Sequence, residues 1–142
     1  MIEVEKMLFL PIKGHWLEKI ISGEKGEEYR EIKPHWMRRM FSGTTRREVS
    51  VCVDMIDRMT KPPFSDRDVF ELMQYFKIKL VDYKCVVLAN GYRRDSRRYL
   101  AECKGVSIGI GRPEWGAPQE FPVFILKLGS VSPVVRLTTT VI

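Results

Sequence analysis

"GEKGEEYREIKPHW", residues 23–36, decides how the first part of the chain folds. It opens on Gly23, and Lys25, Glu28 and Arg30 follow at offsets of two, five and seven. Upstream, Trp16, Leu17, Ile20 and Ile21 recur at i, i+1, i+4 and i+5, one face of a short helix over 15–22. Gly23 stands where such a helix ends in the left-handed conformation. EEYREI (27–32) then alternates as a strand, so Glu28 and Arg30 share a face while Tyr29 turns to the other side and the core. Lys33 and Pro34 stop the strand, and Pro34 suits the first turn of a second helix. Trp36, Met37, Met40 and Phe41 form the apolar face of that helix, opposite Arg38 and Arg39.

The turn between helix and strand therefore carries Lys25 over the face of Glu28 and Arg30. Lys13 ends an earlier apolar run, KMLFLPIK (6–13), read as the first strand, and reaches the same face if the two strands pair. The expected product is a cluster of three cations and one carboxylate. The plainer alternative is an exposed Glu28–Arg30 pair, which contributes about 0–1 kcal/mol. Trp16 and Trp36 lie on apolar helical faces and read as core.

Further along, REVSVCVDMI (47–56) alternates Val49, Val51, Val53 and Met55, which favours a strand, although the same residues would serve a helix. KPPF (61–64) is a break. Ser65 with Asp68 three residues on is a capping-box pattern, and Val69, Phe70, Met73 and Phe76 give the buried face of a helix over 66–76. The rest reads as strands at 83–91, 98–111 and 121–131, separated by the loops 90–98 and 111–120. Strands and helices in this order predict an α+β fold: a compact small barrel of five to six short strands with two to three flanking helices.

At 142 residues the chain is read as one domain spanning 1–142, large enough to fold without metal or disulfide. Its net charge of +6 raises the expectation of a polyanionic partner. Cys52, Cys85 and Cys103 sit among apolar residues and form no C-x-x-C, so they read as reduced structural thiols. His15 and His35 lie among no clustered ligands, so no metal site and no cofactor are expected. No Walker or Rossmann glycine pattern is present. The N-terminal run has neither the apolar core nor the cleavage pattern of a signal peptide, and no apolar run approaches the ~20 residues of a membrane span. A cytoplasmic protein without membrane attachment is the expectation.

LPIKGHWLEKIISGEKGEEYR (10–30) resembles the start of an ASCH domain. Gly23, Lys25, Glu28 and Arg30 match the family pattern G-x-K-x-x-[E/T]-x-R after a strand and a short helix. NGYRRDSRRYLAECKGVSIGIGRPEWGAP (90–118) and FPVFILKLG (121–129) are similar to the later strands of the longer bacterial and phage members. The resemblance covers about 7–40 and 83–131; the segment at about 42–82 has no counterpart and is a candidate helical insertion. It implies a PUA-like β-barrel of mixed strands and a cleft beside the motif that takes RNA or a nucleoside.

Some members of the family are amidohydrolases that deacetylate acetylcytidine through the motif lysine, the threonine and a distant glutamate; others have been described as ribonucleases. Lys25 matches the lysine, but Glu28 replaces the threonine. A threonine hydroxyl serves as a nucleophile beside a base, whereas a carboxylate would pair with Lys25 or Arg30, or act as a base for water. Lys25 and Glu28 are the catalytic candidates if the chain is an enzyme, with recognition the better fit to the substitution. The distant glutamate has no recognisable position.

The remaining surface candidates lie in two loops. YRRDSRR (92–98) holds Tyr92, Arg93, Arg94, Arg97 and Arg98, and Trp115 lies in the loop 111–120. Arginine suits bidentate contact with phosphate, and loop aromatics suit stacking on unpaired bases. The plainer alternative is a solvated basic surface with Trp115 packing its own loop. Three functions stay open: an RNA- or nucleotide-binding module, a small hydrolase of a modified nucleoside or RNA, and a protein-interaction module of phage origin.

Overall fold

The computed structural model describes residues 7–92 and 95–134. Its architecture is α+β: a curled, mixed five-stranded sheet forms a half-barrel, with four α-helices among the described residues. β1 (Met7–Ile12) buries Leu8, Leu10 and Ile12, the alternate residues of an apolar run. α1 (Gly14–Ile21) buries Leu17 and Ile20, and Gly23 at φ +86 closes it, its N–H donating to the Ile20 carbonyl. β2 (Glu27–Arg30) follows, then α2 (Pro34–Met40) with Pro34 at its start.

In the segment after α2, residues 47–56, whose alternation favours a strand but would also serve a helix, form a helix, in keeping with a helical insertion at about 42–82. β3 (Phe41–Ser42) leads into α3 (Arg46–Met59), a helix of fourteen residues. The Thr45 hydroxyl accepts from the Glu48 N–H and starts it, and Cys52, Val53 and Ile56 form its buried face at i, i+1 and i+4. The alternation of Val51 and Met55 had no partner strand to pack on, and both side chains remain exposed on the helix. α3 is why there are four helices rather than two or three. α4 (Asp66–Tyr75) has the expected capping box, with Ser65 and Asp68 each satisfying the other's N–H.

β4 (Lys79–Leu80) pairs antiparallel with β3, so a two-stranded ribbon gathers the ends of the α3–α4 segment. Cys52, Val53, Ile56, Val69 and Met73 pack in the same buried cluster as Leu10, Phe124 and Leu126, so this segment covers the sheet.

β5 (Cys85–Asn90), β6 (Arg98–Gly109) and β7 (Val123–Pro133) complete the sheet in the order β1-β5-β6-β7-β2. β1 runs parallel to β5; the other neighbours are antiparallel. Register shifts in β6 at Ala101/Cys103 and Cys103/Gly105 bend the strand, which curls the sheet. β1 and β2 do not pair, contrary to the condition set for Lys13: they are the two outer strands. The curl brings them together nonetheless, and the seam between them is where the motif residues lie. No helix among the described residues is long and apolar enough to cross a membrane.

Candidate functional site

β2 is buried on both faces. Glu28 lies opposite Leu126, and Tyr29 opposite Ile125. Opposed residues of a ladder share a face, so the Glu28 carboxylate turns toward the inside of the half-barrel. Tyr29 turns outward into a second, smaller apolar cluster with Ala117 and Val123. The Glu28–Arg30 pair is thus not an exposed surface pair: their side chains are 6% and 13% exposed.

Three donors converge on the Glu28 carboxylate. Lys25 Nζ donates to Oε1 at 2.7 Å and the Tyr29 backbone N–H donates to the same oxygen at 3.2 Å. Arg30 Nη1 donates to Oε2 at 2.8 Å. Lys25 is only 2% exposed. A buried ammonium needs a counter-charge and further electron-rich contact. Besides Glu28, it has the ring of Trp16 at 4.5 Å and that of Tyr29 at 5.5 Å. Arg30 lies over Trp36 at 4.9 Å, and its Nη2 donates to the Pro11 carbonyl of β1 at 2.8 Å.

These residues line a groove of about 300 Å³, bounded by Pro11, Ile12, Lys13 and Trp16 on one side and Trp115 and Gly116 on the other. Lys13, Lys25, Glu28, Arg30 and Trp115 are therefore brought to one place. Lys13 arrives through the curl of the sheet rather than through pairing with β2. Trp115 belongs to a 3-10 turn, Pro113–Trp115, and its ring carries the Arg112 guanidinium at 4.6 Å.

Gly116 ends that turn at φ +97, and a Cβ there would stand 3.1 Å from the Trp16 ring, so only glycine lets the turn lie against Trp16. The Tyr29 hydroxyl ties the loop to β2: it accepts from the Arg112 N–H at 3.1 Å and donates to Glu27 Oε1 at 2.8 Å. Burial pushes the phenol above its ordinary range.

The arginine loop goes elsewhere. Arg97 lines a separate groove, together with Glu18, Asn90 and Asp95, that shares no lining residue with the first. Arg98 stacks over Phe9 at 5.2 Å and donates to Ser96. Tyr92 is 76% exposed. Arg93 and Arg94 lie outside the described residues.

Trp16 and Trp36, read as core, are half-buried and cover the two cations of the site. A signal for them was present: KGHW (13–16) and KPHW (33–36) place the same lysine, histidine and tryptophan at the start of α1 and α2. The three cysteines are buried and unbridged, and burial pushes the Cys52 thiol up to about 11 and the Cys103 thiol also upward. Among the described residues no three His, Cys, Asp or Glu side chains gather where a metal would be held.

Chemically, the groove offers donors. Both Glu28 oxygens are already engaged, so the polar capacity left for a ligand is mainly N–H from Lys25, Arg30 and Lys13, beside indole faces. Compared with models of protein families, with curated proteins and with solved structures, the chain matches none.

Proposed function

We propose that this chain is a recognition module for RNA or a nucleotide, with an ASCH-type, PUA-like fold, and that the groove beside Lys25, Glu28 and Arg30 holds the ligand. One observation carries the reading: the buried Glu28 carboxylate is taken up by Lys25, Arg30 and a backbone N–H. A carboxylate so engaged positions its donors rather than activating water. What remains is a donor-lined, positively charged groove between Trp16 and Trp115, which suits an anionic or carbonyl-bearing ligand with a planar ring. The net charge of +6 favours the same class of partner. The amidohydrolase reading gains no comparable support, because Glu28 stands where those members of the resembled family carry a threonine nucleophile.

A titration against short single-stranded RNA and free nucleosides, at two salt concentrations, tests this. Lys25→Ala and Trp115→Ala are run beside the wild type, and each mixture is checked for product by mass. Binding that falls with salt and weakens in both variants, without product, is the expected result. Product formed by the wild type and lost in Lys25→Ala would move the chain to the hydrolases. Binding unaffected by either substitution would remove the groove from the function.

A further inference from the structure

A second groove, of about 410 Å³, abuts the first. Both are lined by Tyr29, Arg30 and Gly116, so they meet along that line. Beyond it the chemistry changes. The first groove carries Lys13 and Lys25 between two indoles; the second is lined by Pro118, Phe121 and other apolar side chains, with Glu31 as its one further charge. The Phe121 ring stacks on Phe64, with centroids 5.8 Å apart and planes at 29°. Arg30 sits at the junction with a small exposed margin, and its contacts to Glu28, Tyr29 and Pro11 leave guanidinium N–H groups over.

Resting on the nucleotide reading above, we infer that the ligand is a single strand with adjacent nucleotides in both grooves, rather than a free nucleoside or mononucleotide. One base occupies the cationic groove, the next stacks against Phe121 and Pro118, and the linking phosphodiester crosses Arg30. Beyond the shared Arg30 the second groove offers nothing to a phosphate: its one further charge is the Glu31 carboxylate, which repels one. It offers a flat apolar surface, which binds a base face without regard to sequence. Each groove is at the small end of the range for ligand sites, about 300–1,000 Å³, and suits one ring system with its sugar.

The test is a length series: mononucleotides, the matching dinucleotides and trinucleotides, titrated at one fixed salt concentration. The dinucleotides should bind about tenfold or more tighter than the mononucleotides, the amount one stacked base contributes. Phe121→Leu, which keeps apolar volume, and Pro118→Asp, on the loop, should each remove that gain and leave mononucleotide affinity unchanged. Equal affinity for mono- and dinucleotide, with binding still dependent on Lys25, would overturn the two-groove inference while leaving the first groove's role standing. A dinucleotide gain that survives both substitutions would also overturn it. No Lys25-dependent binding at any length would overturn both.

Discussion

Arg30 Nη2 donates to the Pro11 carbonyl at 2.8 Å and so closes the seam between the two outer strands of the sheet. No backbone ladder joins β1 and β2; a side chain does part of that work. The same guanidinium holds Glu28 and covers Trp36. One residue therefore contributes both to closing the half-barrel and to assembling the groove.

Arg30→Ala should lower stability by about 3 kcal/mol, since it leaves one Glu28 oxygen and the Pro11 carbonyl short of a donor. Arg30→Lys should recover only part of this, because one ammonium cannot copy a fork that reaches both strands. Urea denaturation measures both. Full rescue by lysine would show that charge alone matters and that the seam needs no bridge.

Lys25 and Glu28 are unequal partners. Glu28 has three donors, whereas Lys25 has one oxygen acceptor among the described residues. Glu28→Ala should therefore be the costlier change, about 3–5 kcal/mol, because it strands a buried ammonium. Lys25→Met, which refills the space and leaves Glu28 with Arg30 and a backbone N–H, should cost about 1–2 kcal/mol. Denaturation of each single variant decides it; equal losses would contradict the unequal sharing.

Gly116→Ala should damage the groove without touching a charge. It forces a side chain into the left-handed region and sets a methyl against the Trp16 ring. A loss of about 1–2 kcal/mol is expected from the backbone alone. Affinity for the RNA or nucleotide proposed as ligand should fall with it, as the 113–116 turn moves off Trp16. An alanine variant with wild-type stability and affinity would count against the close approach of turn and helix.

Stability should decline on the alkaline side. Burial raises the Cys52 thiol from 9.0 to about 11 and raises the Tyr83 and Tyr29 phenols as well. A raised value means that the folded state keeps protons which the unfolded chain releases. The contribution is therefore complete below the unfolded value and lost as pH climbs through the folded one. For Cys52 the window runs from about 9 to about 11. Unfolding free energy measured from pH 7 to 11 should be flat and then fall, and Cys52→Val should make the fall shallower. An identical decline in both proteins would show that Cys52 does not contribute.

Much of the local structure was legible in the chain. A change of apolar period marks a helix at 15–22, its glycine stop and a strand at 27–32, which the structure has at Gly14–Ile21, Gly23 and Glu27–Arg30, and the Ser65–Asp68 box marks a helix start that the structure keeps. At 47–56 the sequence leaves strand and helix open and leans to the strand, because β-branched residues at alternate positions look like one; the helical alternative, within the helical insertion expected at about 42–82, is what the structure has. Thr45 and Glu48 already spelled a helix start, and that cap outweighed the alternation once Cys52, Val53 and Ile56 had a surface to cover. In the candidate site, spacing alone places Lys25, Glu28 and Arg30 on one face, with Lys13 reaching it if the strands pair; the family resemblance, not the spacing, marks them as more than an exposed pair, and Trp115 reads only as an aromatic of a late loop. The roles of Trp16 and Trp36 were not legible, because an indole on an apolar helical face looks the same whether its exposed side meets water or a cation.

The sequence by itself determined that a helix, a glycine turn and a strand follow one another, and so that Glu28 and Arg30 share a face with Lys25 above them. That is set by backbone sterics and side-chain periodicity within a few residues. Only the tertiary structure decided that this face is the inner one, and that β1 meets β2 without pairing. It also decided that a turn nearly ninety residues away from Gly26 lies across the opening. Those outcomes depend on the curl of a sheet whose bend lies in β6 and on which faces the helices cover. They are sums over contacts distant in the chain, and no short stretch contains them.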